Sequence, residues 1–207
     1  MAIPESLPSN STAEHALERL KSGNVRYRTD KAARPNADQL RRDATLPHQH
    51  PFATIITCAD SRVSPELIFD QGIGDLFVIR VAGNIADDDS ILGSIEYASQ
   101  HLGVRLVVVM GHKSCGAVGA AVAHVDHDGP ATHDHIDSLI DSIRPAVVAA
   151  REQGGTDDLL DRSIRTNASM VAEGLGKSEP VLGKLTALGV QFVPAYYDLG
   201  TGQVEWL

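Results

Sequence analysis

Two short stretches carry residue types whose spacing could do metal chemistry. Cys58-Ala59-Asp60-Ser61-Arg62-Val63 follows the apolar run 52–57, and Gly111-His112-Lys113-Ser114-Cys115-Gly116 follows the apolar run 106–110. Cys58 and Cys115 are the only 2 cysteines among 207 residues. Two thiolates and an imidazole suit zinc, a borderline-soft and redox-inert ion. Three protein ligands with a fourth position left over is the pattern of a catalytic site. Asp60, two residues beyond Cys58, either closes the tetrahedron as a fourth ligand or stands off and accepts a hydrogen bond from metal-bound water or hydroxide. Arg62 can decide between these by holding Asp60 in a forked, charge-assisted pair.

Such side chains need rigid supports. Phe52-Ala53-Thr54-Ile55-Ile56-Thr57 is rich in β-branched residues, is introduced by Pro51 and reads as a buried strand, so that Cys58 falls where the strand ends. Leu76 to Val81 and Leu106 to Met110 read as two more strands. Helices are expected between and after them. Ser64-Pro65-Glu66 opens a short one, and Asp87, Asp88 and Asp89 favour the positive end of another that Gly103 stops. Further helices follow from Gly116, over roughly 136–153 and 157–174, and after Ser178-Glu179-Pro180. Gln191 to Tyr197 is a strand in which Pro194 places the second half at an edge or bulge. Val204 to Leu207 pairs back antiparallel.

Near the N-terminus, Ser11-Thr12-Ala13-Glu14 fits a capping box with Ser11 as the cap, and Gly23 falls near the end of the helix it opens. Residues 26–49 read as an extended, partly helical arm that packs on another subunit or around its own body. The expected fold is α/β, with a mostly parallel central sheet of order 2-1-3-4, an antiparallel C-terminal edge strand, flanking helices and an N-terminal helical arm. One domain is expected over 1–207, with the arm at 1–48 and the α/β core at 49–207. Ligands of such sheets gather at the carboxyl ends of strands. With the first and third strands adjacent, Cys58, His112 and Cys115 reach one crevice.

Composition narrows the partners. With 18 basic and 27 acidic residues the formal charge is -9, which disfavours nucleic acid or an anionic membrane surface. No apolar run approaches the length of a membrane span, and the first residues have neither a basic region nor an apolar core behind them, so a cytoplasmic protein is expected. Because both cysteines sit at strand ends and one has a histidine nearby, a reduced metal-binding pair is expected rather than a disulfide.

The motifs CADSRV and GHKSCG, with Phe77-Val78-Ile79-Arg80-Val81-Ala82-Gly83-Asn84 and Ser94-Ile95-Glu96-Tyr97-Ala98, resemble the β-class carbonic anhydrases in order and spacing from about residue 45 to 125. The resemblance implies one Zn2+ per chain on Cys58, His112 and Cys115 and an Asp60–Arg62 dyad. It implies reversible hydration of CO2 to bicarbonate and a proton by zinc-bound hydroxide. It also implies a homodimer, or a larger oligomer built from dimers, with a cleft lined from both subunits. Gln49, Phe77, Ala82, Tyr97 and Gly116 match the family's substrate-pocket positions: Gln49 would donate to substrate oxygen, and Phe77, Ala82 and Tyr97 would wall the pocket.

One subgroup of that family has tryptophan three residues before the first cysteine, in an inhibitory bicarbonate site that accompanies a closed metal. Here that residue is Ile55, so an Asp60–Arg62 pair and an exchangeable fourth zinc position are expected at neutral pH. Two alternatives compete: hydrolysis of carbonyl sulfide or a related heterocumulene on the same centre, and a non-catalytic, zinc-closed, bicarbonate-responsive interaction protein. Residues 124–135 carry four histidines and three aspartates. Proton export from zinc-bound water is the role that suits them, with a second metal site as the sharper alternative.

Overall fold

The computed structural model describes residues 10–127, 134–154, 158–178 and 180–207; the side chains of Asp126 and His127 are also outside the described set. Five strands form one sheet in the order β2-β1-β3-β4-β5. They are β1 (Ala53–Thr57), β2 (Leu76–Arg80), β3 (Leu106–His112), β4 (Gln191–Tyr197) and β5 (Val204–Trp206). The first four run parallel and β5 pairs antiparallel to β4, which is the expected order with its C-terminal edge strand.

All residues of β1 and β3 are buried, as central strands covered on both faces must be. Their side chains alternate cleanly between the two faces. Ile55, Val108 and Met110 pack with Leu20 of helix α1 (Ala13–Arg28), with Ile68 of the short helix α3 (Pro65–Ile68) and with Phe69. Ile56, Val107 and Val109 face Ile95 of α4 (Asp89–Leu102), Ala168 and Ala172 of α7 (Leu159–Lys177) and Leu182 of α8 (Leu182–Ala187). A third cluster joins Cys58, Cys115 and Tyr196 to Val118 of α5 (Gly116–His127) and Ile143 and Val147 of α6 (His135–Glu152). That last cluster is the floor under the two motif cysteines.

Several local expectations need correction. The first helix is capped by Thr12, whose hydroxyl accepts from the His15 amide at 3.3 Å, and not by Ser11. Gly23 does not end it. The helix runs on to Arg28, and a Cβ at Gly23 would sit 1.8 Å from the Phe69 carbonyl oxygen, so the glycine permits a close crossing of α1 over the chain beyond α3. The N-cap of α8 is Val181, without a side-chain cap, and Glu179 of the expected Ser178-Glu179-Pro180 cap lies outside the described residues. In β4 it is the first half that lies at an edge: β5 pairs only with Ala195 to Tyr197, so those residues are flanked on both sides. Pro194, which has no N–H, marks where the second partner begins.

Residues 29–46 wrap around the body of their own chain and include helix α2 (Gln39–Thr45). The Ala33 and Arg34 amides donate to Asp70, and Asn36 and Arg41 donate to Asp75. None of the residues of α2 is buried, and Leu40 and Leu46 are largely exposed. Among the described residues no helix is long and apolar enough to cross a membrane.

Candidate metal centre

The pairing of β1 with β3 sets Thr57 beside Met110, so the chain leaving β1 at Cys58 emerges next to His112, which is itself the last residue of β3. The β3 ladder with β4 continues one residue further, where the Lys113 amide donates to the Tyr197 carbonyl at 2.9 Å. Ser114 then takes a left-handed φ of 55° and reverses the chain, and Cys115 stands at the start of α5, where its carbonyl accepts from the Gly119 amide. The outcome is a compact triad. One ligand atom each from Cys58, His112 and Cys115 lies within 4.8 Å of the others, all three residues are buried, and the two sulfurs are 3.9 Å apart.

The protonation pattern suits a cation. The Lys113 carbonyl lies 3.0 Å from His112 Nδ1 and can only accept, so Nδ1 carries the proton and Nε2 keeps its lone pair. Nε2 is buried and has no hydrogen-bond partner. Such an atom costs free energy in a protein interior unless something meets it, and a soft divalent ion between the two sulfurs would do so. The Cys115 S–H donated to Cys58, opposed by burial and helped by the Gly83 amide at 3.4 Å, lowers the Cys58 thiol to about 4. The same shared bond, with burial, pushes Cys115 up, and the helix-terminal amides of Val118 and Ala117 oppose this. A divalent cation can take the place of the proton that the two sulfurs share.

Asp60 and Arg62 form the fork. Arg62 Nε donates to Asp60 Oδ1 at 2.9 Å and Nη2 to Oδ2 at 2.7 Å, and the Arg62 amide adds a 2.9 Å bond to Oδ1. The Arg62 guanidinium, opposed by partial burial, holds the Asp60 carboxyl well below the usual range. Asp60 Oδ2 is 3.8 Å from His112 Nε2, near the triad while tied to the arginine. Arg80, paired with Thr57 in the sheet, holds the loop from behind, donating to the carbonyls of Asp60 at 2.6 Å and Cys58 at 3.3 Å.

The five residues matched to a substrate pocket fall into two groups. Ala82 lies in the 3-10 turn Ala82–Asn84 that contacts Cys58, and Gly116 follows Cys115, so both flank the triad. Phe77 and Tyr97 have ring centroids 6.4 Å apart, and Tyr97 shares a cavity of about 400 Å³ with Gln49. Phe77 pairs with Thr54, four residues before Cys58, which places this second group about 13 Å back along the strand direction. His48, His50 and His101 line the cavity of Gln49 and Tyr97 and were not singled out from the sequence. The available signal was helical spacing: His101 follows Tyr97 by four residues in α4, and their rings are 5.2 Å apart. Of residues 124–135, positions 128–133 and the side chains of Asp126 and His127 lie outside the described residues.

Fold and site together define an α/β protein with a covered, mostly parallel sheet and a buried two-cysteine, one-histidine group at the carboxyl ends of adjacent strands. The family model for carbonic anhydrase matches residues 53–204. Carbonic anhydrase 2 of Mycobacterium tuberculosis strain H37Rv is 38% identical over 187 residues, covering 88% of this chain and 89% of that protein. The carbonic anhydrase of Mycolicibacterium smegmatis is 36% identical over 200 residues, 95% and 94% of the two chains. The structure of a Coccomyxa β-carbonic anhydrase in complex with acetazolamide aligns with a TM-score of 0.72 at 29% identity, covering 92% of this chain and 86% of that one. This chain belongs to the β-carbonic anhydrase family.

Proposed function

We propose that the protein hydrates CO2 reversibly to bicarbonate and a proton, with one zinc ion per chain on Cys58, His112 and Cys115. The observation that carries this reading is the bare Nε2 of His112 facing two sulfurs 3.9 Å apart, beside a carboxylate already engaged by arginine. Held by these three residues, zinc would supply Lewis-acid chemistry that lowers the pKa of water to near neutrality, for which carbonic anhydrase is itself the type case.

The chain's own residues supply the rest. Asp60, kept ionised by Arg62, is a permanent acceptor that orients the reacting water through one of its protons. Because both Asp60 oxygens are occupied by Arg62, the carboxylate is held back from the fourth ligand position, which supports an exchangeable site. The Gly83 N–H tempers the charge on Cys58 Sγ, and Arg80 fixes the loop that presents Asp60. Ala82 and Gly116 leave small, unobstructed walls, and nothing lies within 4 Å of a Cβ placed on Gly116.

In this reading the Gln49 amide donates to a substrate oxygen while Phe77 and Tyr97 supply apolar surface that suits CO2. Lying about 13 Å from Cys58 along the sheet, that group serves the centre of a second copy rather than its own. The exposed Leu40 of α2 and Leu46 just beyond it support a homodimer or a dimer-based oligomer, and a pair of unoxidised thiols suits a cytoplasmic setting. A structure reported for two β-carbonic anhydrases of Sordaria macrospora describes them as tetrameric.

The test is stopped-flow CO2 hydration on zinc-loaded protein, with metal analysis and Cys58→Ala as control, beside sulfide release from carbonyl sulfide. CO2 turnover that disappears with the metal in Cys58→Ala supports the proposal. Sulfide release without CO2 turnover, or a metal-loaded protein inert to both, overturns it.

A further inference from the structure

Outside the metal centre, the most heavily bonded buried charge among the described residues belongs to Asp75, whose side chain is 5% exposed. Donors from four segments converge on its carboxylate: Arg19 Nη2 of α1 at 3.0 Å, Asn36 Nδ2 at 2.8 Å, Arg41 Nη2 of α2 at 3.2 Å and the Gly72 amide at 2.9 Å. Its own carbonyl accepts from the Phe52 amide at 2.9 Å, directly ahead of the β1–β2 ladder. Arg41 adds a 2.7 Å bond from Nε to the Ile73 carbonyl. One residue thus ties the first helix, the arm and the sheet together.

The arm needs that tie. On its way to α2 the chain passes through Asp30, Arg34 and Asn36, non-glycine residues with φ of 56°, 47° and 54°, conformations such residues keep only when their surroundings hold them. The helix that follows buries no residue of its own, so apolar packing does not locate it; its polar bonds to Asp75 and Ile73 do. Four residues beyond the end of α2 stands Gln49. An arm that shifts by an ångström carries Gln49 with it, and an error of that size in a group that contacts substrate costs on the order of 100-fold in rate.

We propose that Asp75 is a positioning residue for catalysis, fixing α2 on the body so that Gln49 reaches the substrate at the right height. This rests on the reading that Gln49 binds substrate. Arg41 transmits the constraint, being the one α2 side chain that contacts both Asp75 and the Ile73 carbonyl.

The experiment is a double-mutant cycle on zinc-loaded, full-length protein, read as kcat/KM for CO2 hydration, with zinc content and amide exchange of residues 36–49 measured in each variant. Gln49→Ala and Asp75→Asn should each lower kcat/KM by about 10- to 100-fold. The double variant should lose no more than Gln49→Ala alone, because Asp75 acts through Gln49. Arg41→Met, a change at a partly exposed position that leaves Asp75 its other donors, should give a smaller loss with the same non-additivity and faster exchange over 36–49. It keeps the test decisive should Asp75→Asn fail to fold. Losses that multiply in the double variants overturn the proposal, as does an Arg41→Met protein with full kcat/KM. A neutral Gln49→Ala instead removes the substrate role of Gln49, an outcome visible before Asp75 is touched.

Discussion

Gly83→Ala tests the claim that the turn beside the metal centre is built on a glycine. Gly83 has φ 73° and ψ 12°, its amide donates to Cys58 Sγ, and its carbonyl accepts from Asn167 Nδ2 at 2.8 Å. A methyl group there meets two obstacles. The left-handed conformation costs an L-residue about 1–2 kcal/mol. The new Cβ also stands 2.5 Å from Ile143 Cδ1, and Ile143 is fully buried, so forcing it aside adds about 1–3 kcal/mol. The sum, about 2–5 kcal/mol, is a large share of the 5–15 kcal/mol that typically holds a domain together. With a slope of about 2–3 kcal/mol per molar urea, the unfolding midpoint should fall by roughly 1–2 M. Zinc must be held at one free concentration throughout, since a ligand of the folded state shifts the midpoint. Ile143→Val removes Cδ1 and separates the two contributions. Alone it should cost about 0.5–1.5 kcal/mol, but on the Gly83→Ala background it should be neutral or stabilising, leaving only the backbone cost. A Gly83→Ala midpoint equal to the parent's, or a double variant whose losses simply add, would refute the reasoning.

Arg62→Met removes the fork and frees Asp60 within reach of the triad; cobalt(II)-substituted protein should keep its metal with an altered visible spectrum, and CO2 turnover should fall by about tenfold or more. An unchanged spectrum and rate would count against a gating role for the arginine. His112→Ala should surrender zinc to a chelator that leaves the parent loaded, measured by metal analysis after gel filtration. Acid should weaken the fold through carboxylates whose folded values are depressed: Asp198 is lowered to about 2 by Lys113 and the Thr201 amide, and Asp70, despite its burial, is lowered by Arg26 and the Ala33 and Arg34 amides. A depressed carboxyl stabilises above its unfolded value of about 3.9 and ceases to as the pH falls through the folded value. Urea midpoints should therefore drop between about pH 4 and 2, less steeply in Asp198→Asn. Mixing impaired Gln49→Ala chains with inactive Cys58→Ala chains should raise activity to about a quarter of the parental value, since half of randomly formed dimers are mixed and each has one complete site; no rise above the residual Gln49→Ala activity after verified exchange would show that Gln49 does not act across chains.

The parts of this architecture that are local in sequence were readable there. The continuous apolar runs of β1 and β3 announced strands buried on both faces, and Gly103, with φ 72° after α4, ends its helix where expected. What misled was local chemistry overridden from afar. Ser11 and Thr12 are both plausible caps, and Glu14, the acid that would complete a box with Ser11, instead accepts from Gln191 at 2.8 Å. Gly23 resembles a helix stop, yet its reason for being glycine is the Phe69 carbonyl, 46 residues away in the chain. Pro194 does mark a change of pairing, but which side of it is flanked depends on where β5 returns. The triad was readable because Cys58 directly follows β1, His112 ends β3 and Cys115 comes three residues later, at the start of α5. The cavity of Gln49, Tyr97 and His101 was not, because it forms between a loop before β1 and the far part of α4.

That division has a consequence for assembly. β1 is the shared axis: beyond its carboxyl end stand Cys58 and the Asp60–Arg62 fork, and toward its amino end lie Gln49 and, one strand over, Phe77. The strand is rigid and buried along its whole length, so no hinge within one chain can fold one end onto the other without breaking its pairing with both β2 and β3. An arm that swung free to bring Gln49 around would have to give up the Asn36 and Arg41 bonds to Asp75 and the Ala33 and Arg34 amide bonds to Asp70, leaving two buried carboxylates with Arg19 and Arg26 of α1 but short of the other donors they need. Both routes by which Gln49 could reach the triad of its own chain are therefore opposed by the interactions that stabilise the fold. If Gln49 binds substrate, it does so in the site of a neighbour, and the minimum catalytic unit is two chains.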